Sequence, residues 1–152
     1  MIGDPVECPF CRIADKHEDA VVVYEDADVM AFLDRSPIRD GHTQIIPKRH
    51  FPTFDTLPLD LAARIVTVGQ QLARRLKSRY GVERVAFVFT GGDVAHAHAH
   101  IVPMHEPTDI TSARYIVSPD TTFGSLHLRA DRPTLLRVRD ALGTIEPPGI
   151  PT

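Results

Sequence analysis

The chain has 152 residues, of which 43% are hydrophobic and 24% are charged, a composition typical of a globular protein. This length is enough for one domain with a single hydrophobic core. The formal net charge of −3 argues against a protein that coats nucleic acid, because such proteins neutralise phosphates with an excess of Lys and Arg. A small phosphorylated ligand is compatible with this charge.

The N-terminal residues carry no basic cluster followed by an apolar run, so we expect no signal peptide. The longest apolar stretches, such as residues 20–24, are too short to cross a bilayer. We therefore expect a cytoplasmic protein that has no membrane partner.

The two cysteines of the chain, Cys8 and Cys11, are spaced C-x-x-C. A structural disulfide is disfavoured in a protein without an export signal. Three interpretations of the pair stay open: a redox pair, half of a metal site, or two unrelated small residues.

Short β-branched and aromatic runs predict strands at residues 20–24, 29–33 and 43–46. Only short turns separate them, which favours an antiparallel meander because parallel neighbours need longer crossovers. A long helix is predicted over residues 58–80, with Pro58 in its first turn and Gly81 as its stop. Its apolar face recurs at steps of four and three and consists of Leu61, Ile65, Val68, Leu72, Leu76 and Tyr80.

After this helix, strands are predicted at residues 85–89 and 96–102, joined by a turn that contains Gly91 and Gly92. Residues 105–131 are expected to be irregular. A short helix is predicted at residues 134–142, ending at Gly143, and a frayed tail at residues 146–149.

Three histidines, His96, His98 and His100, alternate with alanine in the last predicted strand. Because side chains alternate along a strand, the imidazoles are predicted to share one face, roughly 6.5–7 Å apart. Ala97 and Ala99 would then face a helix or the core. One histidine is often only a packed, hydrogen-bonded residue, but three in register indicate a site for an anion or a metal.

Two chemistries suit such a row of imidazoles. The histidines could bind a metal in a hydrolytic site, although such sites usually include carboxylates and the only acid close by in sequence is Asp93. Alternatively, a neutral imidazole could attack a phosphorus centre. His98 is the natural nucleophile in that case, because it has a histidine on each side.

The H-x-H-x-H sequence followed by two apolar residues resembles the motif that names the histidine triad (HIT) family. Residues 31–37 (AFLDRSP) and 41–50 (GHTQIIPKRH) resemble the second signature of the family, and residues 8–13 (CPFCRI) its usual opening. The resemblance implies one HIT domain over residues 1–152, with core motifs at 8–104 and an extension at 105–152. It also implies an α+β fold, in which an antiparallel sheet of about five strands packs on the long helix and a short C-terminal helix follows.

The resemblance further implies a nucleotide hydrolase or transferase that releases a nucleoside monophosphate from a phosphoanhydride or phosphoramidate through a nucleotidyl-histidine. His98 would be the nucleophile, His100 would contact the phosphate, and His96 would complete the triad. Asp34 would accept hydrogen bonds from the ribose, with Arg35 at the rim of the pocket. The base pocket would be walled by Phe10, Ile13 and Phe32.

Members of this superfamily that carry the C-x-x-C pair, including galactose-1-phosphate uridylyltransferases, hold a zinc ion. By resemblance, the zinc ligands here would be Cys8, Cys11, His50 and His96, a closed Cys2His2 set that we interpret as structural. The family also forms two-fold dimers through the long helix and an edge strand, so a homodimer is expected.

One turn departs from the family pattern. Relatives commonly carry an Asn, a Gly-Gln pair and a Ser or Thr before the triad, whereas residues 89–94 of this chain are FTGGDV. Asp93 lies where a hydroxyl is expected, and a carboxylate beside a phosphate is repulsive at neutral pH. The amides of Gly91 and Gly92 could still cradle phosphate oxygens. Two alternatives therefore stay open: a nucleotide-binding module with little or no activity, and a hydrolase with its metal on the triad.

Overall fold

The computed structural model describes residues 8–92, 94–110 and 129–144. Five strands form one sheet, and their bounds are β1 Val22–Glu25, β2 Val29–Leu33, β3 Thr43–Pro47, β4 Arg84–Thr90 and β5 His98–Met104. The sheet order is β1-β2-β3-β5-β4, and every neighbouring pair is antiparallel. Together with three α-helices and a 3-10 helix at Phe54–Thr56 in the described residues, this confirms the predicted α+β fold. Within the described residues, no helix combines the length and the apolar character that crossing a membrane requires.

The last strand begins two residues later than predicted, at His98. The N–H of His96 bonds the carbonyl of Val94 at 2.8 Å, and the N–H of Ala97 bonds that of Phe51 at 2.6 Å. These bonds hold the chain in a bend before the ladder begins. The prediction that His96 belongs to the strand is therefore wrong.

The long helix, α2, spans Leu59–Tyr80 and packs on one face of the sheet. Pro58 is its N-cap, so the helix begins one residue after the predicted start, and Gly81 ends it with φ +64° and a bond from its N–H to the carbonyl of Lys77. The predicted apolar face is the buried one: Ile65, Val68, Leu72 and Leu76 are fully buried. They pack against sheet residues that include Ala31, Ile45, Ala99 and Ile101.

A short helix, α1, spans Pro9–Ala14 and was not predicted. Proline suits the first helical position, but six residues are too few to show a helical period, and so short a helix depends on tertiary packing. It covers the opposite side of the sheet, where Phe10 and Ile13 pack with Met30, Phe32 and Ile46. Alternation along β2 thus sends neighbouring side chains to two different apolar clusters.

The C-terminal helix, α3, spans Arg132–Leu142 and begins two residues earlier than predicted. The Asp131 carboxylate caps it by accepting the N–H of Thr134 at 2.8 Å, and Gly143 follows its last residue. Leu135, Val138 and Leu142 join the core cluster that contains α2. Part of the predicted irregular segment (111–128) and the predicted tail lie outside the described residues.

The loop before β3 lies tightly against α2. Gly41 has φ +90°, and a Cβ there would lie 2.7 Å from both Leu76 Cδ2 and Tyr80 Cε2. Glycine is required at this position by backbone conformation and by space. The close packing fixes the backbone that leads directly into His42.

Candidate active site

The sheet places the second and third triad histidines on the face that α1 covers. His100 is paired with Gln44 on β3 and Val88 on β4, and His98 is paired with Thr90 at the end of β4. The His98 and His100 ring centroids are 5.0 Å apart, and both side chains are almost fully buried. Ala99 between them points to the α2 side, as the alternation predicts.

The hydrogen bonds of His98 define its tautomer. Its Nδ1 lies 2.6 Å from the backbone carbonyl of His96, which can only accept, so Nδ1 carries the proton. In the neutral ring, Nε2 then carries the lone pair, and it lies 3.3 Å from the hydroxyl of Thr90. The ring of Phe10 contacts the imidazole with a centroid distance of 5.1 Å. This orientation would suit a nucleophilic role for Nε2.

His42 determines the tautomer of His100. The N–H of Ile38 bonds Nδ1 of His42 at 3.1 Å, so the His42 proton is on Nε2. That Nε2 lies 2.9 Å from Nδ1 of His100, to which it donates. The proton of His100 is then on its Nε2, which lies 3.1 Å from the hydroxyl of Thr90.

Burial keeps these two imidazoles neutral. It lowers the pKa of His100 to about 3, with further lowering by His42 and His98, while Asp34 acts in the opposite direction. Burial also lowers the pKa of His42, again opposed by Asp34. Near neutral pH, His100 is therefore a neutral hydrogen-bond donor through Nε2.

Sequence reasoning missed the roles of His42 and Thr90. His42 stands inside the segment 41–50 that suggested the family, and Thr90 ends the strand before the atypical turn. The only signal in the sequence was a polar residue at each of these two positions. Their partners depend on strand pairing, which a single sequence does not reveal.

Asp34 lies beside this histidine network. Its Oδ1 accepts the N–H of Ser36 at 2.7 Å, and its Oδ2 accepts Nε2 of Gln44 at 2.6 Å. The same Oδ2 is 3.6 Å from Nε2 of His42. The Arg35 side chain is directed away from the histidine network, toward the loop after α1. Its guanidinium bonds the Glu18 carboxylate at 2.9 Å and the backbone carbonyl of Asp19 in that loop.

The apolar residues predicted for the base pocket lie together under α1. Phe10 and Phe32 meet edge to face at 5.7 Å, and Phe10 also borders His96 at 5.9 Å. Ile13 packs in the same cluster, and all three side chains are buried. Gly91 and Gly92 follow β4 with open space where a side chain would be. Asp93 lies outside the described residues.

The four predicted zinc ligands come together at the other end of the triad. One ligand atom from each of Cys8, Cys11, His50 and His96 lies within 4.8 Å of all the others. Nδ1 of His96 is 3.4 Å from the Cys8 sulfur and 3.5 Å from that of Cys11, and Nδ1 of His50 is 3.3 Å from Cys11. Tetrahedral Zn²⁺ spaces nitrogen and sulfur ligands by about 3.6 Å, so the set fits zinc.

The protonation of His96 also suits a metal ligand. Its Nε2 donates to the carbonyl of Pro47 at 2.9 Å, which leaves the lone pair of Nδ1 directed at the cysteines. Burial lowers the pKa of His96 to about 4, so the ring is neutral. Burial and the neighbouring Cys8 raise the pKa of Cys11 to about 12, and a divalent cation would reverse this by stabilising the thiolate.

A second group, Asp34, His42 and His100, also brings possible ligand atoms close together. Both ring nitrogens of His42 are already engaged, one by Ile38 and one by His100. This group therefore forms a hydrogen-bond network in which the ring nitrogens of His42 are occupied by protein partners.

Comparison with known proteins agrees with this geometry. The sequence model of the HIT domain matches residues 15–107, more than half of the chain. A HIT-like protein of Methanocaldococcus jannaschii is 38% identical over 104 residues, covering 65% of this chain and 80% of the relative. The adenylylsulfatase HINT3 of Arabidopsis thaliana is 29% identical over 105 residues, which cover 66% of this chain and 53% of that protein.

Solved structures show the same architecture. A HIT-like protein from Bartonella henselae superposes with a TM-score of 0.75 at 21% identity, covering 93% of this chain and 97% of the other. A Zn-bound histidine triad family protein from Mycobacterium smegmatis superposes with a TM-score of 0.69 at 27% identity, covering 91% and 95%. Given the matched domain, the shared fold and the buried row of imidazoles, this chain belongs to the HIT family.

Proposed function

We propose that this HIT protein is a nucleotide hydrolase or transferase that releases a nucleoside monophosphate from a phosphoanhydride or phosphoramidate through a nucleotidyl-histidine at His98. The observation that carries the proposal is the 2.6 Å bond from Nδ1 of His98 to the His96 carbonyl, which leaves Nε2 as the nucleophile. Nε2 of His100 lies beside it as a neutral donor. A nucleophile and an adjacent donor are what phosphoryl transfer requires.

The reaction proceeds in two steps. The lone pair of His98 Nε2 attacks phosphorus, and the N–P bond forms while the leaving group departs with its electron pair; the nitrogen of a phosphoramidate takes a proton from solvent and leaves as the neutral amine. The ring is then cationic, and the His96 carbonyl that accepts its Nδ1–H stabilises it. Water next attacks phosphorus, the N–P electron pair returns to Nε2, and the water proton passes to solvent. His100 and the amides of Gly91 and Gly92 stabilise charge on the non-bridging oxygens.

The nucleoside occupies the space between Asp34 and the apolar cluster under α1. Asp34 accepts hydrogen bonds from the ribose, and the base packs near Phe10, Ile13 and Phe32, with Arg35 at the rim and Asp93 in the phosphate turn. The short distance from Asp34 to the His42–His100 pair supports this arrangement. The activity named for the Arabidopsis relative, adenylylsulfatase, supports a nucleotidyl substrate.

Zinc at Cys8, Cys11, His50 and His96 is structural in this proposal. The ion supplies the charge that holds the two thiolates, and its ligands tie α1 to the segments before β5 and after β3. The ligand spacing and the Zn-bound relative support the assignment.

The active unit is a homodimer of single HIT domains in the cytoplasm. Large apolar side chains are exposed on α2 and on the edge strand β4, among them Leu59 at 90%, Val66 at 43% and Phe87 at 37%. Exposed apolar surface of this kind favours association with a second copy. Residues 105–152 form an extension beyond the core motifs.

A turnover panel of dinucleoside polyphosphates, nucleoside phosphoramidates and nucleotide sugars tests the activity. His98→Ala should abolish turnover with the fold intact by circular dichroism, whereas His17→Ala, at an exposed position, should have no effect. Mass spectrometry of the wild-type protein trapped during turnover should show a nucleotidyl adduct on His98. Wild-type turnover in His98→Ala contradicts the mechanism, and nucleotide binding without an adduct or turnover favours the binding module.

A further inference from the structure

We propose that Thr90 is a catalytic residue of this chain. Its hydroxyl bonds the nucleophilic nitrogen in the free protein and transfers that hydrogen bond to a non-bridging oxygen of the bound phosphoryl group. The inference rests on the proposed function. The turn after β4 contains no Asn, Gln or Ser that could bind the phosphate, and we assign this role to Thr90 at the end of β4.

One oxygen atom bridges the two imidazoles. Thr90 Oγ1 lies 3.3 Å from Nε2 of His98 and 3.1 Å from Nε2 of His100. The proton on His100 Nε2 is donated to this oxygen, since the other ring nitrogen accepts from His42. The hydroxyl proton of Thr90 is then directed at His98 Nε2, which carries the lone pair.

The substrate must use the same two nitrogen atoms. Phosphorus must bond His98 Nε2, and a non-bridging oxygen must accept from His100 Nε2. The Thr90 oxygen already sits within hydrogen-bond distance of both, which is where a phosphoryl oxygen would bind. Substrate binding therefore releases the hydroxyl from His98, and its proton becomes available to the incoming phosphoryl group.

Strand pairing keeps Thr90 next to that group after the release. Thr90 is paired directly with His98 in the β4–β5 ladder, so only its side chain needs to rotate. The hydroxyl acts by hydrogen bonding, and no covalent bond to it forms or breaks. Because charge on the non-bridging oxygens grows in the transition state, this bond strengthens as the reaction proceeds.

Two substitutions separate the hydroxyl from the shape of the side chain. Thr90→Val keeps the branched shape and removes the hydroxyl, whereas Thr90→Ser keeps the hydroxyl. With a nucleoside phosphoramidate, Thr90→Val should lower kcat by about 10- to 100-fold and change KM by less than about 2-fold. Thr90→Ser should restore kcat to within about 3-fold of wild type. An unchanged kcat in Thr90→Val, or an equal loss in Thr90→Ser, overturns the proposal.

A second measurement does not depend on turnover. In ¹⁵N spectra of histidine-labelled protein at neutral pH, the His98 Nε2 resonance should move toward that of an unbonded imine nitrogen in Thr90→Val. The Nδ1–H tautomer should persist, because the His96 carbonyl still accepts from it. AMP, used as the binding probe, should shift the same resonance in the wild-type protein.

The two readouts distinguish the two proposals. If the wild-type protein turns over no substrate, the proposed function fails, and the ¹⁵N shift of His98 in Thr90→Val then decides the role of Thr90 alone. If the His98 Nε2 resonance is identical in the wild-type protein and in Thr90→Val, the proposed role of Thr90 is overturned, whether or not the protein turns over substrate.

Discussion

A buried ion pair beyond the triad should stabilise the fold and the histidine network together. Asp109 is fully buried, and its carboxylate accepts Nε and a terminal nitrogen of Arg39 at 2.9 and 2.7 Å. It also accepts the N–H groups of His105 and Glu106 at 2.8 and 2.9 Å. The turn after β5 is thereby tied to the loop whose Ile38 N–H orients His42.

Asp109→Asn should cost a substantial part of the stability. The amide retains one oxygen acceptor, but it loses the charge and directs an NH2 group at the guanidinium of Arg39. Breaking a fully buried pair costs about 3–5 kcal/mol. The Arg39 side chain is 23% exposed and so can be partly hydrated, which lowers the expected loss to about 2–4 kcal/mol. For a chain of this size, Tm should fall by roughly 5–15 °C.

The pH dependence gives a second check. Burial raises the pKa of Asp109, but Arg39 and the two amides outweigh it and hold the pKa well below its ordinary value of 3.8. The stabilisation is fully present above that ordinary value and is lost as pH falls through the lower, folded-state pKa. The stability difference between wild type and Asp109→Asn should therefore be constant from about pH 5 to 8 and should narrow below about pH 4.

Urea denaturation across this pH range measures both effects. Asp140→Asn is the matched control, because Asp140 is exposed and its carboxylate pairs with the guanidinium of the adjacent Arg139. Exposed pairs contribute about 0–1 kcal/mol, so the control should lose little. An equal loss in the two variants, or a difference that stays constant down to about pH 3, would refute the reasoning.

Two other substitutions test the zinc site and the histidine network. Cys8→Ser should lower bound zinc, measured by elemental analysis, from about one ion per chain to well below one, because a closed site loses one of its four ligands. Unchanged zinc would contradict the assignment. Residual turnover in the zinc-depleted variant would support a structural role. His42→Leu should lower kcat by about 10-fold or more and change the ¹⁵N tautomer pattern of His100, since Nδ1 of His100 loses its donor. His42→Gln places an amide N–H near the same point and should recover part of the activity. Wild-type kcat and tautomer in His42→Leu would exclude a positioning role.

Local patterns predicted most of the fold. The stripe that includes Ile65, Val68 and Leu72 is visible as a period in the sequence, and these side chains are the ones that α2 buries. The strand runs were found to within a few residues, because β-branched runs between turns need little more than local information. Two elements were not predicted correctly. Helix α1 is too short to show a period. His96 lies outside the strand because its N–H bonds the carbonyl of Val94 and the N–H of Ala97 bonds the carbonyl of Phe51.

The sequence by itself determined that His98 and His100 share a face, because a period of two along a strand is a property of the backbone. Only the tertiary structure decided their tautomers. His42 is 58 residues from His100, and the two meet because β3 and β5 are neighbours in the sheet. Likewise, Thr90 reaches both rings because β5 runs antiparallel beside β4. Which nitrogen holds a proton depends on these distant partners, and no local pattern encodes them.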